Sequence, residues 1–294
     1  MNILNSLFRR APVLGKPEPD FLCVGMVKAA TDWLFDQLLH HRDFWIPPVK
    51  ELRYLNVPVP RMDNTLRKLS HHRAKGRSFA RDVDFAFLEE AGALADQPRD
   101  IDKYAALFRF KGSLLSGDIS PGYYDLDAET IAAIARRFPS LRVVLTVREP
   151  LERVWSHLSM RSREGHFDAT LLEDVRAFSR WFAESEVRRA CFPTRVAQNW
   201  STFAPEIAFR HFFFDDVEAR PETVRADIVA FLGGNPCKKS GRLAAGYNRK
   251  ANLPKLRMPE PIRAFLLSEL ADEIRGCAEM FGGHAERWPT RYNL

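Results

Sequence analysis

Residues 141–147, LRVVLTV, are the apolar, β-branched run that leaves this chain the least freedom. Helical spacing precedes the run in AETIAAIARRF (128–138), where Asp127 is placed to cap. A second helix follows in REPLERVWSHL, with Pro150 in its first turn, where a missing N–H does no harm. The alternation recurs along the chain. DFLCVG (20–25) is a short buried strand stopped by Gly25, and TDWLFDQLLHH (31–41) a helix with Leu34 and Leu38, Phe35 and Leu39 four apart. GSLLSGDIS (112–120) is a second strand closed by Pro121-Gly122, and IAFRHFFF (207–214) is another. RPETVRADIVAFLGG is a helix with proline near its start and Gly233-Gly234 at its end. Strands alternating with helices predict an α/β fold of three layers, with a central parallel sheet covered on both faces. In such a sheet ligands sit beyond the C-terminal ends of the strands. Gly25 to Lys28 and Arg148 both fall at such ends and are expected to face one crevice, although 120 residues separate the lysine from the arginine.

The intervening stretches say less. IPPVKEL (46–52) cannot be helical through its two prolines, so Glu51 lies in or just after an extended loop. Residues 56–112 read as helices with loops. Residues 1–19 read as a tail, and 20–294 as a single domain with a variable acceptor-side region at 56–112. At 294 residues, with 46% hydrophobic and 28% charged, the composition is that of an ordinary soluble protein. No apolar run approaches the roughly 20 residues needed to span a bilayer. The opening MNILNSLFRRAPVLG puts its arginines after the apolar stretch, the wrong order for a signal peptide, so a cytoplasmic location is expected. Cysteines at 23, 191, 237 and 277 form no C-x-x-C, and neither a disulfide framework nor a metal site is expected. The net charge of +6 is concentrated at 61–81, with seven Lys or Arg against one Asp. That run is either a solvated face or a contact with an anionic ligand; no motif points to nucleic acid. Oligomeric state cannot be read.

GMVKAAT, between the first strand and its helix, supplies a loop, Lys28, and the Thr31 hydroxyl at a helix N-terminus. Free N–H groups there attract phosphate and the lysine adds a full charge. It is not a Walker loop, in which lysine directly precedes Ser or Thr. Taken alone, it is either a phosphate loop or an ordinary strand-to-helix turn.

The stretch FLCVGMVKAATDWLFDQLLHHRDFWIPPVKELRYL resembles the opening of sulfotransferases that use 3′-phosphoadenylyl sulfate (PAPS), in the bacterial and glycan-type branch. VVLTVREPLERVWSHL resembles the family's 3′-phosphate element, an Arg at a strand end with a Ser eight residues later. GDISPGYY, FFFDDVEARPETVRADIVAFLGG and YNRKANLPKLRMPEPIRAFL resemble its later segments, from about residue 20 to the C-terminus, with a poor match at 56–112. The resemblance implies a P-loop-NTPase-like sulfotransferase fold and transfer of a sulfuryl group from PAPS to a hydroxyl or amine, releasing adenosine 3′,5′-bisphosphate without a metal. It implies that Lys28, with the backbone of Ala29, Ala30, Thr31, Asp32 and Trp33, holds the 5′-phosphosulfate, and that Arg148 and Ser156 grip the 3′-phosphate. Arg249 and Lys250 are further donor contacts in a late loop, 238–294 being the nucleotide-covering loop and C-terminal helices. Glu51 matches the glutamate that serves as base in the glycan-modifying branch, with Asp118 its rival, and the alternative for Glu51 is an ion pair with Lys50, Arg53 or another cation. Arg53 and Ser120 are candidate acceptor contacts.

Several positions depart from the pattern. Val27 stands for the frequent proline, Ala30 for the second glycine, and Asp32 for a hydroxyl residue. Asp32 beside a phosphosulfate repels it, unless the side chain turns away to cap the helix. KELRYLN puts Arg53 and Asn56 where the glycan branch has histidine and acid, and DISP lacks that branch's lysine, so heparan-like specificity is not supported. The acceptor is thus a small molecule, carbohydrate or lipid of unidentified structure. The competing class is a catalytically degenerate relative that binds nucleotide or partner without turnover. A kinase-like enzyme would need a Walker loop that the chain lacks.

Overall fold

The computed structural model describes residues 14–58, 62–75, 80–238, 243–248 and 252–294. Strands β1 (Phe21–Cys23), β2 (Gly117–Ile119), β3 (Arg142–Val147) and β4 (Ala208–Phe213) run parallel in the order β2-β1-β3-β4. Phe21 pairs with both Gly117 and Arg142, so β1 lies between β2 and β3. The chain leaves β1 toward β2 and then crosses back over it to β3. The ends of β1 and β3 therefore flank a topological switch point, where a sheet of this order opens a crevice.

Period-two alternation sends neighbouring strand residues to opposite faces. Phe21, Cys23, Val144 and Phe212 face one side, against Trp33, Leu34 and Leu38 of α1 (Thr31–Leu39). Leu22, Val24, Val143, Leu145 and Val147 face the other. The chain then runs through α2 (Asp63–Ala74), α3 (Asp82–Ala93), α4 (Ile101–Ala106), α5 (Ala128–Arg137), α6 (Pro150–Arg163), α7 (Val175–Glu184), α8 (Glu186–Arg189) and α9 (Pro193–Phe203). It continues through α10 (Phe214–Ala219), α11 (Pro221–Phe231), α12 (Glu260–Phe281) and α13 (Trp288–Arg291). α11 joins α1 on its face through Val224, Ile228 and Val229. α3, α5, α6, α7, α9 and α12 fill the other through Phe87, Ile134, Val154, Phe178, Trp200 and Leu266. Each such fully buried side chain contributes about 1.5–3 kcal/mol. The three-layer α/β/α architecture with a parallel sheet is as expected.

β1 and β2 are much shorter than their sequence runs, and β3 and β4 shorter by one and two residues. Gly25, at φ +148°, turns the chain away after Val24, although Val24 N–H still donates to the Val144 carbonyl (3.0 Å). Residues 112–114 turn rather than extend, with Gly112 at φ +61°; Leu115 makes an isolated parallel bridge to Phe44, and Ser116 N–H donates to the Asp20 carboxylate at 2.7 Å. Asp127 caps α5 as its position predicts, accepting from Thr130 N–H. α2, within the basic run, buries no residue: Arg67, Lys68, Arg73 and Lys75 are exposed. Among the described residues no helix is long and apolar enough to cross a membrane.

Candidate active site

Beyond β1 the loop is tied to β3 through Met26 N–H to the Thr146 carbonyl (2.7 Å) and the Thr146 hydroxyl to the Gly25 carbonyl (2.8 Å). That anchoring brings the loop directly to Arg148, which follows β3. Lys28 and Ala30 both lie in the left-handed region, at φ +68° and +73°. The family's glycine at the second position takes that conformation without a Cβ clash, whereas Ala30 carries the cost. The double turn leads into α1, whose first residues Thr31, Asp32 and Trp33 line a cavity of about 180 Å³.

Lys28, Ala30, Thr31, Asp32, Trp33, Arg148 and Ser156 all line that one cavity. Ala29 is fully buried beneath it. Arg148 is fixed from three sides: one Nη donates to the Lys28 carbonyl (3.3 Å), the other faces Glu152 (3.5 Å), and the guanidinium lies 4.0 Å above the Phe214 ring. Among the described residues the buried Nε of Arg148 finds no acceptor. Lys28 Nζ lies 3.5 Å from Met160 Sδ, one turn of α6 beyond Ser156. A preorganised guanidinium, an ammonium and a helix N-terminus on one small cavity form a donor set suited to a ligand carrying two separate phosphates.

Sequence reasoning missed part of the wall: Ser159, Arg163, Phe214, Glu218, Asn248, Leu253 and Lys255. Ser159 and Arg163 were legible as the i+3 and i+7 neighbours of Ser156 on one helix face. It also missed Glu149, whose buried carboxylate caps α6 by accepting from Leu151 N–H (2.9 Å) and Glu152 N–H (2.7 Å). Burial raises the Glu149 pKa, against the pull of those two donors. The free end of α6 is thus occupied by its own side chain, and any phosphate beside it is left to Arg148 and Ser156. The late segment reaches the cavity from above. Trp33 Nε1 donates to the Ala245 carbonyl (2.6 Å), Gln37 Nε2 to that of Ala244 (3.2 Å), and Trp155 Nε1 to that of Leu256 (2.7 Å). Arg249 and Lys250 lie outside the described residues.

The expected acceptor-side residues stand apart from this wall. Glu51 and Arg53 both have positive φ, +64° and +53°, in a loop clamped to the end of β2. Glu51 N–H donates to the Ile119 carbonyl (3.2 Å), Arg53 N–H to the Ser120 hydroxyl (3.0 Å), and Asn56 Nδ2 to the Gly122 carbonyl (2.7 Å). The Arg53 guanidinium lies so close over Gly122 that a Cβ there would meet its Nε at 2.6 Å. Asp118 is buried beneath the loop, where it accepts from the hydroxyls of Ser120 (2.6 Å), Tyr123 (2.6 Å) and Tyr104 (3.2 Å). Burial raises its pKa; the three hydroxyls oppose that. The Glu51 side chain is 41% exposed. Asp32 stands in the first turn of α1, where its carboxylate faces Lys50 Nζ at 3.2 Å, and the same ammonium meets Glu51 at 2.7 Å.

The sequence profile described as "Sulfotransferase family" matches residues 19–235, most of the chain. The chain belongs to the sulfotransferase family. A solved sulfotransferase from Alicyclobacillus acidocaldarius shares its fold, with a TM-score of 0.62 at 17% identity, over 92% of this chain and 98% of its own. The sulfotransferase domain of the Synechococcus PCC 7002 olefin synthase aligns at a TM-score of 0.49 and 14% identity, over 86% of this chain and 95% of its own. Comparison with curated proteins finds no sequence match.

Proposed function

We propose that this sulfotransferase takes its sulfuryl group from PAPS and passes it to a hydroxyl or amine of a small-molecule, carbohydrate or lipid acceptor, releasing adenosine 3′,5′-bisphosphate. The observation that carries this is the convergence of Lys28, the N-terminus of α1, Arg148 and Ser156 on one cavity at the adjoining ends of β1 and β3. Lys28 and the α1 amides hold the 5′-phosphosulfate, while Arg148 and Ser156 hold the 3′-phosphate. The acceptor oxygen or nitrogen forms a bond to sulfur as the bond from sulfur to the bridging oxygen breaks. Lys28 stabilises the charge that builds on that oxygen, as preorganised cations do in phosphoryl transfer. The acceptor's proton passes to a carboxylate.

We assign that base to Glu51. Its side chain is partly exposed beside Lys50, whereas Asp118 is sealed under three hydroxyls with no face left for an acceptor. Arg53 and Ser120 then serve the acceptor loop, Arg53 as a cation for an anionic acceptor and Ser120 as an anchor that accepts from the Arg53 N–H.

Thermal unfolding with adenosine 3′,5′-bisphosphate, ADP and ATP tests the donor. Ligand at about 100 times its dissociation constant stabilises by about 2.7 kcal/mol, and the shift should appear with the bisphosphate alone. With labelled PAPS, Lys28→Ala and Arg148→Ala should each reduce transfer by about 100-fold or more while the fold remains. Equal shifts with ATP, or retained turnover in both variants, would remove the assignment. A bisphosphate shift with no turnover of any acceptor would favour the degenerate, binding-only relative.

A further inference from the structure

An aspartate in the wall of an anion-binding cavity is a liability, because it repels the ligand that Lys28 and Arg148 attract. Asp32 stands in the first turn of α1, after the N-cap residue Ala30, and lines the cavity. It is met by Lys50, from a different part of the chain, at 3.2 Å. The same ammonium lies 2.7 Å from Glu51, and the Lys50 side chain is only 16% exposed. Two prolines precede Lys50, and the Glu51 N–H is held by the end of β2, so the backbone presents this ammonium in one place. Burial works against the charge on Lys50, but Glu51 and Asp32 outweigh it and its pKa is raised.

We propose that Lys50 is a positioning residue that joins the two halves of the site: it neutralises Asp32 in the donor wall and with the same ammonium holds Glu51 at the acceptor edge. This rests on the donor assignment above, but it concerns a residue that assignment does not use. Here the aspartate and the lysine, from two separate segments of the chain, meet at 3.2 Å. The pairing also links occupancy to catalysis, since whatever shifts Asp32 shifts the group that aims the base.

A double-mutant cycle in binding tests this. Isothermal titration with adenosine 3′,5′-bisphosphate, and separately with inorganic pyrophosphate, would be run on wild type, Lys50→Met, Asp32→Asn and the double variant, with Lys50→Arg as rescue. Lys50→Met should weaken both ligands by about tenfold, since it removes the cation that faces Asp32 at 3.2 Å, and Lys50→Arg should retain wild-type affinity. Adding Asp32→Asn to Lys50→Met should restore affinity to within about threefold of wild type. Turnover of the double variant should stay low despite restored binding, because Glu51 has lost its holder; a structural defect would not separate affinity from kcat in this way. If the loss from Lys50→Met is the same in both backgrounds, or absent, the proposal is overturned. Should Lys50→Met fail to fold, Lys50→Gln carries the same comparison. Wild type that binds pyrophosphate but not the bisphosphate would overturn the donor assignment, while the pyrophosphate cycle still decides the role of Lys50. Wild type that binds neither would overturn both.

Discussion

The donor wall and the acceptor loop are built by opposite means. The donor wall collects polar side chains onto the open ends of two adjacent strands, and its key groups point into a cavity. Arg148 rests on Phe214 and the Lys28 carbonyl, with its Nε unclaimed among the described residues. The acceptor loop, in contrast, is fastened from behind. Its backbone N–H groups are consumed by Ile119 and Ser120, and its anchors converge on one buried carboxylate, Asp118. The first region gathers side chains around a cavity, while the second ties its backbone down, although its Arg53 Nε and Asn56 Oδ1, like Arg148 Nε, find no partner among the described residues. Left-handed backbone appears in both, at Lys28 and Ala30 and at Glu51 and Arg53, which is where surrounding structure must over-determine the chain.

The sharpest way to break this contrast is to remove the anchor of the second region. Asp118→Ala leaves three buried hydroxyls without their acceptor and should cost about 2–4 kcal/mol of stability in urea unfolding. Its effect on function should be one-sided: kcat falls by about tenfold or more as Glu51 loses its seat, while bisphosphate affinity stays near wild type. Asp118→Asn, which keeps one carbonyl acceptor, should fall between. Equal losses of affinity and turnover would mean that the two regions are not separable, and would undo the distinction between a positioning Asp118 and a catalytic Glu51.

That contrast also explains what the sequence made legible. The donor wall depends on short local patterns, an apolar run, a glycine, a lysine and a helix start, repeated as strand, arginine and helix. Such patterns fix their own geometry, and the four strands and the helices at 31, 128, 150 and 221 lie where alternation places them. The acceptor side depends on partners distant in sequence. Nothing in GDIS shows that Asp118 is enclosed by Tyr104 and Tyr123, so spacing alone could not separate it from Glu51 as a base. The pairing of Lys50 with its neighbour Glu51 was legible, but its contact with Asp32, eighteen positions earlier, was hidden for the same reason. Only the juxtaposition of the two loops turns an unfavourable aspartate into half of an ion pair.

A milder perturbation sharpens the donor side. Glu218, on α10, lines the cavity beside the arginine. Burial raises its pKa; Arg148 opposes this, and Glu152 and Asp215 add to it. While ionised it competes with a ligand phosphate for Arg148. As pH falls through its raised pKa it takes up a proton, the competition ends, and bisphosphate binding should tighten as the pH is lowered from above that pKa to below it. Glu218→Gln should bind about threefold tighter at the upper pH and show a flatter profile, the gain being limited by solvent screening. Titration calorimetry at several pH values separates this from protonation of the ligand itself, which both proteins share. An unchanged profile in the variant would mean that Glu218 does not face the bound phosphate.

The smallest expected effect concerns Ala30. At φ +73° an alanine pays the left-handed penalty of about 1 kcal/mol that glycine avoids, so Ala30→Gly should raise stability by up to about that amount, less the added freedom of the unfolded chain. A rigid loop and a relaxed one then differ in what they do to the ligand. If the strain at Ala30 serves preorganisation, the glycine variant should be more stable without ligand yet gain less from it, so that its bisphosphate-induced shift in Tm is smaller than that of wild type. If the shift is unchanged while the ligand-free protein is stabilised, the alanine is merely tolerated, and the geometry of the donor wall comes from its anchoring to Thr146 rather than from the residue that occupies the turn.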